Sequence, residues 1–102
     1  MVAVVENRTA VVAVVEGQRD VDEVLVELVL DVAEAGPVEG YPDLVSGQVG
    51  ADRSLVVRAR RAELPAGELV GSRLRGQVAL AGPGVVRLVT APPDAPELTP
   101  PS

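Results

Sequence analysis

The stretch Asp-Val-Asp-Glu-Val-Leu-Val-Glu-Leu-Val-Leu-Asp-Val-Ala-Glu-Ala-Gly, residues 20–36, decides the fold of this 102-residue chain, because it fits two secondary structures. As a strand, it would alternate between two faces with a period of two residues. One face would mix apolar with acidic residues, and the other would be wholly apolar. The wholly apolar face would comprise Val24, Val26, Leu28, Leu30 and Val32.

The same stretch carries the end signals of a helix over about residues 21–35. Asp20 and Glu23 would form a capping box at its start, and Gly36 followed by a proline would end it. Four β-branched valines weaken the helix, and the stretch contains no basic residue that could pair with its acids. We therefore predict a strand, with an α+β fold containing this helix as the alternative.

Other valine-rich or alternating segments predict further strands, because the β-branched valine side chain favours extended backbone. A short internal repeat, Val-Ala-Val-Val-Glu, begins at residues 2 and 12. Residues 16–20 would form a hairpin loop, and residues 81–84 the turn of a second hairpin. The predicted strands outside the central stretch cover residues 2–6, 11–15, 54–60, 73–80 and 85–89.

Five or six short strands, with turn signals about every ten residues, predict an all-β fold, a small antiparallel barrel. The strand order, with an irregular insertion at residues 36–52 and a final hairpin, resembles an oligonucleotide/oligosaccharide-binding (OB) barrel over roughly residues 9–90. This resemblance of layout implies an architecture and no activity. We predict one barrel domain at residues 1–91, followed by a disordered, proline-rich tail at residues 92–102 that does not pair in a sheet.

The composition excludes most catalytic chemistry. The chain contains no His, Cys or Lys, so the commonest general base, the common nucleophiles other than serine and the main zinc ligands are absent. The motifs of serine hydrolases, zinc proteases, phosphate-binding loops and dinucleotide-binding folds are absent too. We therefore predict a protein that is not an enzyme and that has no cofactor and no metal site.

Charge and composition also narrow the partners and the compartment. A net charge of −6 makes nucleic acid an unlikely partner, because the phosphate backbone repels an acidic surface. The apolar run at the amino terminus ends at Glu6, too early for a signal peptide or a spanning helix, so we expect a cytoplasmic protein without membrane contact. All nine basic residues are arginine and valine is the commonest residue, a composition typical of a GC-rich bacterial genome.

Two pairs of arginines form the candidate ligand site, each pair on one side of a predicted strand. If the two strands were neighbours, four guanidinium groups could hold a phosphate or carboxylate in bidentate fashion. Tyr41, the only aromatic residue, is either a further binding residue or a lid over the core. The structural alternative is that Glu27 and Asp31 pair with the arginines as surface charges. The candidate arginines are Arg58, Arg60, Arg73 and Arg75.

The leading hypothesis is a barrel that acts through protein–protein contacts, as a homo-oligomer or as an accessory subunit of a protein partner. Residues 11–15 are apolar on both faces of their strand, and a chain this small has little with which to cover both. The alternative is a module that binds a small molecule or anion on the arginine-lined face. A third hypothesis is OB-like nucleic-acid binding.

Overall fold

The computed structural model describes residues 6–101, which form an all-β fold of six strands. Short 3-10 turns at Ser46–Gln48 and Arg61–Glu63 lie in the connections. The predicted strand at residues 2–6 lies outside the described residues except for Glu6, which is in no strand. No helix within residues 6–101 has the length and apolar character needed to cross a membrane. The strands are β1 (Thr9–Asp20), β2 (Leu25–Pro37), β3 (Ser54–Arg60), β4 (Arg73–Gly82), β5 (Val85–Leu88) and β6 (Glu97–Thr99).

Five of these strands close into a small mixed barrel in the order β1–β2–β3–β5–β4, with β4 returning to β1. Neighbouring strands are antiparallel except β3 and β5, which are parallel. The prediction of an antiparallel barrel is therefore wrong at one pairing. The reason is geometric: a closed ring of five strands has an odd number of members, so their directions cannot alternate all the way round.

The ambiguous central stretch is a strand, β2, and its apolar face points into the barrel. Val26, Leu28, Leu30 and Val32 are buried, and the residues between them are only half-buried. β3 and the first part of β4 show the same alternation, as predicted. The core is therefore built almost entirely from valine and leucine. Its largest fully buried side chains are Leu28, Leu30, Leu74, Val11, Val15, Val26, Val45, Val57 and Val78.

β1 extends further than the sequence predicted. Residues 16–20, expected to form a hairpin loop, belong to β1 and pair with β2 as far as Asp20 opposite Val26. A register shift between Val15 and Gly17 leaves one extra residue in β1, which forms a bulge. The sequence predicted a turn here because the segment is polar. The connection to β2 is residues 21–24.

The short β1–β2 loop is held by Asp22. Its Oδ1 accepts hydrogen bonds from the backbone N–H groups of Leu25 and Val24 at 2.8 and 2.7 Å. These two bonds stabilise the carboxylate, so they lower the pKa of Asp22. An aspartate that bonds the backbone two and three residues further on is a common way to close such a loop.

Asp43 fastens the long mid-chain connection to β1. Its Oδ1 accepts the Thr9 hydroxyl at 2.6 Å and the N–H groups of Ser46 and Val45 at 3.0 and 3.2 Å, and its Oδ2 accepts the Ser46 hydroxyl. Burial raises the pKa of Asp43, but the hydrogen bonds from Ser46, Thr9 and Val45 outweigh it and lower the pKa to about 2. The irregular insertion is therefore anchored at the buried Thr9.

The proline-rich segment pairs in the sheet, so the expectation that it does not is wrong. β6 runs antiparallel to β4, with Glu97 opposite Arg75 and Thr99 opposite Arg73. β5 pairs with the other half of the same edge of β4. β5 and β6 therefore follow one line and are separated by an excursion of the chain at residues 89–96.

A glycine in β4 makes room for this excursion. A Cβ at Gly76 would lie 3.0 Å from Cβ and 3.3 Å from Cα of Pro96, closer than side chains ordinarily approach. The prolines on either side of β6 do not prevent pairing, because the strand between them has three residues with free backbone groups.

Candidate functional site

The strand order divides the predicted arginine site into two separate pairs. β5 lies between β3 and β4, so Arg58 and Arg60 are not beside Arg73 and Arg75. All four point away from the core, because the residues that alternate with them face inward. Alternation predicted the orientation of each pair, but it carries no information about which strands are neighbours.

Arg58 takes part in an ion-pair network on the outer side of β2 and β3. Its Nε donates to Oε2 of Glu27 at 3.3 Å, and Glu27 also accepts a hydrogen bond from Arg19. The hydrogen bond from Arg19 is the main cause that lowers the pKa of Glu27, against the opposing effect of burial. Pairing of Glu27 with a β3 arginine agrees with the structural alternative, whereas Asp31 pairs with Arg53 at 3.7 Å.

Arg58 and Arg60 line a groove at the seam between β3 and β5. These two strands meet in a single bridge, Arg58 opposite Arg87, and no other residues of β3 and β5 pair with each other. The resulting cavity has a volume of about 350 Å³. Sequence reasoning missed Arg87, because it lies on a short strand whose neighbour could not be predicted. We call this cavity the seam groove; its lining includes Leu25, Arg58, Ala59, Arg60, Glu63, Arg87 and Leu88.

Tyr41 belongs to a different cluster, built around Arg8. The Arg8 guanidinium carbon lies 5.1 Å from the centre of the Tyr41 ring, a cation–π distance. Its Nη1 donates to Gln77 Oε1 at 3.1 Å and to Asp94 Oδ2 at 3.2 Å. Arg8 therefore ties the mid-chain loop, β4 and the excursion together. No local pattern in the sequence distinguished Arg8 from the other arginines.

A larger groove, of about 570 Å³, lies between the end of β2 and the excursion. Its lining includes Arg75, but also the carboxylates of Glu34, Asp94 and Glu97. Because negative groups outnumber positive ones here, this groove does not favour an anionic ligand. Arg75 is thus the only one of the four candidate arginines that reaches it.

The outer side of the barrel carries an apolar surface in the middle of paired strands. Val12 and Val14 point outward from β1, and Val14 is 40% exposed. Val29 on β2 lies beside Gly17, which has no side chain to cover it, and directly opposite Val56 on β3. Val56 is 45% exposed. We call these four valines the valine face.

Charges of opposite sign border the part of the valine face that lies on β1. The side towards β4 carries arginines, and the side towards β2 carries acids, so each outward valine of β1 separates a positive residue from a negative one. The two rows across the sheet are Arg73–Val14–Asp31 and Arg75–Val12–Glu34.

Most of these bordering charges have no ionic partner. Arg73, Arg75 and Glu34 form no ion pair with any residue among 6–101. Asp31 has only the 3.7 Å contact with the well-exposed Arg53. An exposed pair of this kind contributes less than about 1 kcal/mol, so Asp31 is available to another cation.

Within residues 6–101, no group of three or more His, Cys, Asp or Glu side chains is placed to hold a metal ion. No protein-family model matches the chain, and neither curated proteins nor solved structures gave a match. The valine face and the seam groove are therefore the two surfaces from which a function is inferred.

Proposed function

We propose that this protein is a non-enzymatic β-barrel that acts through protein–protein contacts, with the valine face as its contact surface. The observation that supports this is the exposure of Val14 and Val56 in the middle of paired strands. Antiparallel strands with one face in water ordinarily carry polar residues on that face. Apolar residues clustered there are typical of a surface that another chain covers.

A second copy of the chain is the partner that the bordering charges favour. In a two-fold dimer whose axis runs parallel to β1, β4 of one copy would face β2 of the other. Arg73 and Arg75 of each copy would then lie opposite Asp31 and Glu34 of the other, at the same level along the axis. An axis across the strands would place like charges together, so the charges select the first arrangement.

The limited area of the valine face determines the affinity that we expect for the dimer. A buried valine contributes about 1.5 kcal/mol relative to an exposed one, and part of that gain is lost in association entropy. We therefore expect a weak dimer in equilibrium with monomer, whose association weakens as salt screens the bordering charges.

Sedimentation equilibrium over a wide range of protein concentrations tests this proposal. We expect Val14→Glu to raise the dimer dissociation constant at least about tenfold, because it buries a carboxylate at the centre of the contact. Val24→Glu is the matched control: Val24 is 58% exposed, but it lies in the β1–β2 loop, away from the valine face. The control should leave the dissociation constant unchanged.

A charge exchange tests the orientation of the dimer. Arg73→Glu with Arg75→Glu should weaken association, and adding Asp31→Arg with Glu34→Arg should restore it, because the attraction is re-formed with signs reversed. A chain that stays monomeric at every concentration contradicts self-assembly. A dimer that Val14→Glu and Val24→Glu weaken equally contradicts the choice of surface.

We also propose the OB-like layout as the finer description of the barrel. The strand order and the parallel contact between β3 and β5 support it. Nucleic-acid binding, the function that this layout first suggests, is disfavoured by the net charge of −6. The only aromatic side chain, Tyr41, lies against Arg8, so no series of stacking residues is present to hold bases.

A further inference from the structure

We propose that the seam groove binds a small organic oxyanion, a phosphate or carboxylate group attached to an apolar body. This site lies on β3 and β5, and the proposal does not depend on the valine face. Three features of the groove support the proposal: the interruption of the sheet, an excess of guanidinium groups and an apolar floor.

The interruption of the sheet leaves a backbone donor at the groove. The Arg61 N–H donates to the Val24 oxygen at 2.8 Å, so odd-numbered positions at this end of β3 direct their backbone groups towards β2. Even-numbered positions therefore direct theirs towards β5. Arg58 is bridged there to Arg87, but Arg60 lies past the bridge, so its N–H points towards the groove.

The side chains around the groove have an excess of positive charge. Arg87 forms no ion pair with any residue of the described chain, and the contact of Arg60 Nε with Glu63 Oε1 is long, at 3.9 Å. Arg58 shares the carboxylate of Glu27 with a second arginine. Three lining guanidinium groups thus face one lining carboxylate. Guanidinium groups bind phosphate and carboxylate oxygens with two parallel hydrogen bonds.

The floor of the groove selects for an apolar body on the anion. The half-buried Leu25 lines it together with the edges of Ala59 and Leu88, which are otherwise buried in the core, and its volume of about 350 Å³ lies at the lower end of the range for small-molecule sites. A single ring bearing one oxyanion matches both the size and the chemistry. Inorganic phosphate would reach the arginines but would leave the apolar floor uncovered.

A titration of the protein with phenyl phosphate, followed by amide chemical shifts, tests the site. We expect shifts concentrated at Arg60, Arg87 and Leu88, and weaker binding of inorganic phosphate. Benzoate, which carries the same ring, distinguishes the two oxyanions: the tighter of benzoate and phenyl phosphate identifies the group that the arginines prefer. Preference for either over inorganic phosphate supports the proposal.

Two variants with the same change in net charge separate site binding from general attraction. Arg87→Gln should weaken phenyl phosphate binding about tenfold, because it removes a charged hydrogen-bond donor. Arg53→Gln, just before the other end of β3, also removes an exposed arginine, one whose single ionic contact is the 3.7 Å approach to Asp31, and should leave binding unchanged. Equal weakening in both variants, or no shifts at the groove at high ligand concentration, would overturn the proposal.

Discussion

The barrel is held together very differently at its two sides. Around β1, pairing is long and continuous: β2 follows it from Thr9 to Asp20, and β4 follows it from Thr9 to Val14. Between β3 and β5, the sheet is closed by one bridge. The continuous ladder around β1 and the groove proposed to bind an oxyanion therefore lie on opposite sides of the barrel, because a groove with free backbone groups can form only where the strand ladder stops.

The largest expected effect compares a leucine from each side. Leu28→Ala should lower the free energy of unfolding by about 4 kcal/mol, because Leu28 is fully buried on β2 between two long partners that cannot close a cavity. Leu88→Ala, at the seam, should cost about 2 kcal/mol, since the seam can relax into the space. Urea unfolding of both variants, with unchanged m-values, measures the difference.

An equal or larger cost for Leu88→Ala would contradict the difference in stability between the two sides. It would mean that the seam is as rigid as the side around β1, so the number of paired residues would not indicate how stable the seam is. Valine variants at the two sides are less informative, because removing one valine leaves a smaller cavity.

A smaller effect is expected at Asp43, which fastens the mid-chain connection to β1. The pKa of Asp43 is lowered to about 2, below that of an unfolded aspartate, so its carboxylate stabilises the fold above about pH 4. This contribution is lost as the pH falls from about 4 towards 2. Asp43→Asn should therefore cost about 2 kcal/mol at neutral pH, and the difference from the wild type should disappear near pH 2.

Unfolding measured as a function of pH checks this effect. Asp52→Asn is the control, because Asp52 is exposed and accepts one hydrogen bond, from the Ser54 N–H at 3.1 Å. We expect it to change stability by less than about 0.5 kcal/mol. A difference between Asp43→Asn and the wild type that stays constant down to pH 2 would contradict the role given to the Asp43 carboxylate.

The smallest effect concerns the edge of β4, where the two sides meet. Gly76→Ala should lower stability by about 1 kcal/mol and reduce hydrogen-exchange protection in β6, because the new methyl group would displace Pro96. Gly82→Ala is the control on the same strand, since nothing lies within 4 Å of a Cβ there. Unchanged hydrogen-exchange protection of β6 in Gly76→Ala would show that Pro96 can move aside without weakening the pairing of β6 with β4.

The sequence allowed most single strands to be predicted, because alternation records which side of a strand is buried. Val26, Leu28 and Leu30 face the core as the pattern required. The hairpin between β4 and β5 was also correct, since Gly-Pro-Gly chemistry is local, but its turn is only Pro83 and Gly84, because residues 81 and 82 belong to β4. Prediction failed where one local pattern is compatible with two structures. The polar residues after Val15 form a bulged strand rather than the expected turn.

The relations between strands could not be predicted from the sequence. The sequence around Arg58 and Arg73 does not indicate that β5 lies between their strands. The four-arginine site required these strands to be neighbours, and the strand order separates them. The seam groove depends on where β3 and β5 stop pairing, which is a property of the closed barrel. The valine face was predicted only as excess apolar surface on β1; its continuation to Val29 and Val56 follows from the register.

The three residues of β6 cover a strand edge of the barrel that would otherwise expose unpaired backbone N–H and C=O groups. β5 leaves the Arg73 end of β4 uncovered, and an uncovered strand edge is a template onto which a foreign chain can add. β6 occupies that edge, and Pro96 and Pro100 on either side of it have no N–H to offer a newcomer. We therefore expect the prolines that made this segment look unstructured to hinder the addition of a foreign strand at this edge.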